Sequence, residues 1–189
     1  EPVICRVVLE AIESPASPTR SLRVSPATGD AGRSDGSGQE VTIKLGESGG
    51  GAWRLTVVNH TDVWRVKEIY WPSVVIEAGA DGAIVWPEGL GRERHLGQLA
   101  REPISFHYPS AGGTMSWLAV NRGNGDGGVG LMIEEPAMNP ALFAARFDEK
   151  EGKVLCECGH SPFPLPGERW VSPPLRPVPF STTWHEVAD

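Results

Sequence analysis

Residues 53–91 read WRLTVVNHTDVWRVKEIYWPSVVIEAGADGAIVWPEGLG, and the reading of this stretch decides the fold. Four of the seven tryptophans lie in it (Trp53, Trp64, Trp71 and Trp86), the last two each followed by proline. β-Branched and aromatic residues crowd between turn clusters, the composition of strands with a half-buried pleated face. Trp53, Leu55 and Val57 alternate with Arg54 and Thr56, the period of two of such a strand. Asn59-His60-Thr61-Asp62 then reads as a turn; Asn59-x-Thr61 also spells a glycosylation sequon, which turn composition alone explains. After Trp64 and Val66 the alternation slips near Glu68, and a bulge there would return Ile69 and Trp71 to the inner face. Because proline cannot donate to a ladder, Pro72 and Pro87 are expected at strand ends or an edge. The run AGADG at 78–82 has hairpin-turn composition.

The same pattern extends outward. VICRVVLEAI at 3–12 predicts an opening strand, and Val41, Ile43 and Leu45 alternate with polar residues in another. Between them, 13–39 is Ser, Pro and Gly with almost nothing to bury, so a flexible loop is expected. Residues 88–103 predict a loop with one helical turn. RGNGDGG at 122–128 lacks the Lys-Ser/Thr of a phosphate loop and lies between two strand patterns, which makes it a hairpin tip. Strands at 141–147 and 153–158 form a second hairpin, and the carboxylates of its DEKEG connection read as a solvated turn rather than an acid–base pair. The proline-dense run SPFPLPGERWVSPPLRPVPF at 161–180 is expected to run extended over the surface towards another module.

Bulk composition narrows the function classes. At 189 residues and 40% hydrophobic content the chain can bury a core in one domain, and 23 Gly with 17 Pro favour turns over helix. The fold class is therefore all-β, an antiparallel β-sandwich. A net charge of −7 with no basic stripe argues against nucleic acid as a partner. No apolar run approaches the roughly 20 residues of a membrane helix. Three cysteines do not make a disulfide framework. Cys156 and Cys158 share a strand face, and with His160 they lack a marked fourth metal ligand, so they read as small buried side chains and no cofactor is expected.

The order of several motifs carries a family resemblance. Trp53 to Thr61 fits "W-x-L-x-V-x-N-x-T", followed by Tyr70-Trp71-Pro72 and by Trp86-Pro87-Glu88-Gly89-Leu90-Gly91. Tyr108-Pro109-Ser110 then leads through a strand to a glycine hairpin, and Trp184-His185-Glu186-Val187-Ala188-Asp189 closes the run like a helix start. Over 41–189 the chain resembles the N-terminal β-sandwich of a large bacterial family of glycoside hydrolases, domain of unknown function 6259, distantly similar to endo-α-N-acetylgalactosaminidases. One departure is Thr114-Met115-Ser116-Trp117, shifted from the family's strand after Tyr-Pro-Ser. The resemblance implies a galactose-mutarotase-like supersandwich over 1–180, with 181–189 beginning a helix that leads into a C-terminal TIM barrel. The barrel would carry the catalytic carboxylates, and none can be placed on this chain.

What the resemblance implies for function is a non-catalytic accessory sandwich, packing on the catalytic domain of the same chain and walling a glycan cleft, in a secreted or periplasmic protein. Trp71, Trp86, His107, Tyr108 and Trp117 are the candidates for that wall, since aromatic faces stack on sugar C–H groups. Two alternatives are an independent carbohydrate-binding module and a mutarotase-like sugar enzyme. The second would need an acid–base pair such as His107 with Glu134 or Glu135.

Overall fold

The computed structural model describes residues 4–12, 19–24, 41–88, 91–110, 113–123, 125–134 and 137–188. Strands dominate throughout. In chain order they are β1 (Ile4–Ala11), β2 (Thr19–Val24), β3 (Val41–Gly49), β4 (Ala52–Asn59), β5 (Trp64–Glu77), β6 (Ala83–Trp86) and β7 (Arg92–His95). After the single-turn helix α1 (Leu96–Leu99) come β8 (Ile104–Tyr108), β9 (Trp117–Asn121), β10 (Gly128–Ile133), β11 (Ala141–Asp148) and β12 (Lys153–His160). Last are β13 (Arg169–Val171), β14 (Leu175–Phe180) and the one-turn helix α2 (His185–Ala188).

These strands form two antiparallel sheets packed face to face, an all-β sandwich. The six-stranded sheet has the order β2-β1-β5-β12-β11-β8. In the eight-stranded sheet β3 pairs β4, the other margin of β4 meets β13 and the start of β14, and β14-β10-β9-β6-β7 follow. The inner faces supply one core from both sheets, with Leu9, Ile69, Trp71 and Phe143 from one and Ile43, Leu55, Val57 and Leu118 from the other. Phe106 stacks on Phe143 at 5.1 Å within it, and Leu96 and Leu99 of α1 are fully buried in it.

Several local expectations are met. β9–β10 and β11–β12 are hairpins with continuous register. The connection of the second is tied by Asp148, whose Oδ1 accepts the Lys150 and Glu151 backbone N–H groups. The slip near Glu68 is a bulge: Val8 faces Glu68 while Leu9 faces Val66, leaving Lys67 as the extra residue. That insertion leaves Lys67 and Glu68 half-exposed and buries Ile69 and Trp71. Pro87 directly follows β6.

Three expectations are corrected. Thr19–Val24, inside the expected flexible loop, is a strand paired along β1 from Glu10↔Thr19 to Cys5↔Val24; the rest of 13–39 lies outside the described residues. Pro72 is neither at a strand end nor on an edge, but mid-way along β5 between β1 and β12. Both ladders shift there, so Trp71 and Pro72 together face single residues on each neighbour, and the missing N–H falls in the bulge. Residues 78–82 do not close a hairpin; they carry the chain from one sheet to the other, with Ala78 N–H on the Gly152 carbonyl and Gly79 N–H on that of Arg122.

The proline-dense run is also corrected, because nine of its twenty residues lie in sheet strands. β14 pairs β10 continuously from Leu175 to Phe180, yet meets β4 only at Leu175. Pro177 and Pro179 are two apart and share one margin, so their missing N–H groups are accommodated on the margin that β4 leaves open. Beyond Phe180, the expected helix start folds back on its own sheet. Trp184 stacks on Trp117 at 5.6 Å, and Val187 is buried in an outer cluster with Val85, Trp117, Ala119 and Phe180. Gly130 makes this docking possible, since a Cβ there would lie 2.3 Å from Val187 Cγ1.

Candidate functional site

Burial separates the five residues expected to face a glycan. Trp71 is 1%, Trp86 4% and Tyr108 8% exposed, and all three belong to the inter-sheet core. Trp117 is 4% exposed on the opposite face of the eight-stranded sheet, beneath Trp184. Strand alternation is the cause: in ISFHY, Ile104, Phe106 and Tyr108 turn inward and His107 outward. His107 alone among the five is exposed and lines a groove. The structure therefore does not bring the five together.

That groove has a volume of about 1040 Å³ and lies where the outer face of the six-stranded sheet meets its rim. Its floor is a row set by strand register, Tyr70 beside Gly159, Gly159 beside Leu142, and Leu142 beside His107. Its far wall is the connection after β12, with Phe163, Trp170 and Ser172–Pro174, joined by Arg54 and Glu134 at the rim. Trp170 is half-buried against the His160 ring, 5.3 Å away, and Phe163 is 44% exposed. Two aromatic side chains thus border a cavity large enough for an oligosaccharide segment.

A hydrogen-bond hub holds this wall in place. Asn59 is fully buried at the end of β4. Its Nδ2 donates to the Trp64 and Pro164 carbonyls, and its Oδ1 accepts from the Thr61 N–H and hydroxyl. Its backbone N–H donates to the Glu168 carbonyl and its own carbonyl accepts from the Gly167 N–H. Its Nδ2 and its backbone fasten the connection to β4 and to the start of β5, while its Oδ1 closes the turn at Thr61. The sequon at Asn59 is therefore closed to modification in the folded chain, as its amide nitrogen has no solvent access.

Tyr70 is the most constrained side chain of the floor. The Arg6 guanidinium lies over its ring at 3.6 Å. A Cβ on Gly159 would come within 3.1 Å of the ring, so glycine leaves it room. With these neighbours Tyr70 offers its hydroxyl rather than a free stacking face, and that hydroxyl donates to Glu68 Oε2 at 2.9 Å. Burial, reinforced by the bond to Glu68, holds the phenol above its ordinary value, so it remains a donor. Glu134, at the rim, accepts at Oε1 from Arg176 Nε at 2.7 Å.

The cysteine–histidine run is buried. Cys156 and Cys158 are buried in the core, while His160, with Nε2 3.7 Å from Cys158 Sγ, is a buried residue of the groove lining. Burial pushes the Cys156 thiol up to about 12 and Cys158 higher still, which disfavours the thiolate that a nucleophile or metal ligand needs. Among the described residues no group of three His, Cys, Asp or Glu is placed to hold a metal ion.

Sequence reasoning missed Tyr70, Phe163 and Trp170. The first was passed over for its neighbour Trp71, whose indole points inward; the other two sit in the run read as a connector. The one available signal was the slip at Glu68, which already placed Tyr70 opposite in facing to Ile69 and Trp71. Comparison with protein-family models, with curated proteins and with solved structures finds no match.

Proposed function

We propose that this chain is a non-catalytic β-sandwich that contacts carbohydrate, as the accessory domain of a glycoside hydrolase whose catalytic domain belongs to the same chain. The supporting observation is the rim groove, where the half-buried Trp170 and the exposed Phe163 stand beside a fixed hydroxyl–carboxylate pair, Tyr70 and Glu68. Apolar faces next to oriented polar groups match the two surfaces of a sugar ring. The groove thus takes the role first expected of Trp71, Trp86, Tyr108 and Trp117, with His107 as the shared member.

A second reading, the mutarotase-like enzyme, draws on His107 and Glu134 lining the same groove. Glu134 is occupied by Arg176 rather than paired with His107, which favours the binding role. Glu135 lies outside the described residues.

Glycan-array binding of the isolated chain, repeated with Trp170→Ala and Phe163→Ala, tests the proposal. Binding that disappears in these variants while the far-ultraviolet spectrum is unchanged is the expected result. Binding to no glycan, or binding indifferent to both substitutions, would remove the groove from consideration. Interconversion of sugar anomers, lost in His107→Ala, would establish the enzyme instead.

A further inference from the structure

Resting on the carbohydrate reading, we propose that the groove binds an acidic glycan in one orientation. The anionic substituent, a carboxylate or a sulfate ester, sits at the Arg54 rim, and a neutral hydroxyl-bearing ring sits at the Glu68–Tyr70 end. What carries this is the occupancy of the charges that face the groove. Glu134 is held by Arg176, which binds its Oε1 through both Nε and Nη2. Glu68 accepts the Tyr70 hydroxyl. Arg54 is exposed and, among the described residues, has no carboxylate within ion-pair reach. His107 and Asn139 also line the groove, and both are exposed.

An unengaged guanidinium is a planar fork of donors that matches a carboxylate or sulfate better than it matches a hydroxyl. Its backbone is rigid, because the neighbouring Leu55 donates its N–H to Ser172 Oγ while the Ser172 N–H returns to the Leu55 carbonyl. This pair of bonds seats Ser172–Pro174 next to Arg54 on the groove wall. On the side of the six-stranded sheet the chemistry differs. Arg65 and Lys67 go to Glu10 rather than to Glu68, and the Arg6 guanidinium is engaged on the Tyr70 ring. A ligand anion there would meet a carboxylate, whereas a sugar hydroxyl can donate to it. Trp170 and Phe163 contribute apolar contact to the wall. The net charge of −7 makes a local cationic end the more selective, since the rest of the surface disfavours anions.

The test is calorimetric titration of the chain with three probes at matched low salt. These are oligogalacturonate (carboxylate only), carrageenan oligosaccharide (sulfate only) and an uncharged galacto-oligosaccharide. At least one acidic probe should bind about tenfold or more tightly than the uncharged one, with the margin shrinking as salt is raised. Arg54→Gln should abolish the margin between acidic and uncharged probes, and Glu68→Gln should weaken every probe that binds. Whichever acidic probe keeps the margin identifies the anion. Equal or better binding of the uncharged probe, or a margin that survives Arg54→Gln, overturns the orientation while leaving the carbohydrate reading intact. Failure of all three probes, in a chain whose melting curve shows it folded, counts against the acidic proposal; the array decides the wider reading separately.

Discussion

The two outer faces of this sandwich have the same pleat and opposite fates. On the β6, β9, β10 and β14 part of the eight-stranded sheet the outward positions include Val85, Trp117, Ala119, Met132, Val178 and Phe180, and the chain covers them itself with Trp184 and Val187. On the six-stranded sheet the outward positions include Arg6, Glu10, Arg65, Tyr70, Leu142 and His107. Its charged members are held by one another and by Tyr70, with Arg6 over the Tyr70 ring and Arg65 and Lys67 on Glu10. A continuous apolar strip costs free energy in water and is closed by whatever segment can reach it. A face whose charges satisfy each other has no such drive, so it remains open, and its grooves are available to ligand.

The largest test of the contrast is to truncate one aromatic on each face. Trp117→Ala should cost about 3–5 kcal/mol, since it empties a closed apolar site. Phe163→Ala should stay within about 1 kcal/mol, as expected of a side chain exposed over nearly half its area. Urea unfolding of the two variants measures both, and equal losses would break the comparison. Next is Asn59→Ala, which removes the Nδ2 bonds to the Trp64 and Pro164 carbonyls and leaves the buried Thr61 N–H without its acceptor; about 1–3 kcal/mol is expected. Because the same amide fastens the groove wall, glycan binding should fall with it, even under conditions where the variant is folded.

A sharper probe of the covered face is Gly130→Ala. The new methyl meets Val187 at a distance no side chain tolerates, so α2 should be displaced at a cost of about 1–3 kcal/mol. Val187→Ala added to it should restore part of the loss, and dye binding to exposed apolar surface should rise in the single variant and recede in the double. The smallest effect belongs to the open face. Hydrogen bonds from Arg65 and Lys67 hold the Glu10 carboxyl below its usual range. A depressed folded-state value stabilises the fold above the unfolded value, and that stability disappears as pH falls through the folded value. Stability of the natural chain should therefore decline on acidification below the ordinary glutamate range more than that of Glu10→Gln, by a margin that salt reduces, as denaturation midpoints at neutral and acid pH would show.

The sequence showed the strands because their cause is local. Alternation from Leu55 to Val57, the slip at Glu68 and the turn at Asn59 each depend on a few neighbouring residues, and each is where the reading placed it, whereas Trp53, expected on the face of Leu55 and Val57, is 39% exposed. The same reading failed wherever proline or serine density was taken as the whole story. TRSLRV has no strong strand signal, and it becomes a strand because β1 offers it a full register. LRPVPF carries two prolines, and it enters a sheet because one of its margins is left unpaired. Edges are a property of the assembled sheet.

By itself, then, the chain's composition and period determined an all-β sandwich with one core, two hairpins and buried cysteines. Which tryptophan faces a ligand was decided only by tertiary structure. Period two says that Trp71 and Tyr70 face opposite ways, yet it is silent on which side the second sheet will cover. That choice was made by the packing of the two sheets inner face to inner face, which took Trp71 and Tyr108 from one sheet and Trp86 from the other into the core. The groove was left to Tyr70, His107 and the Phe163–Trp170 connection, residues far apart in the chain that only the closed sandwich brings to one rim.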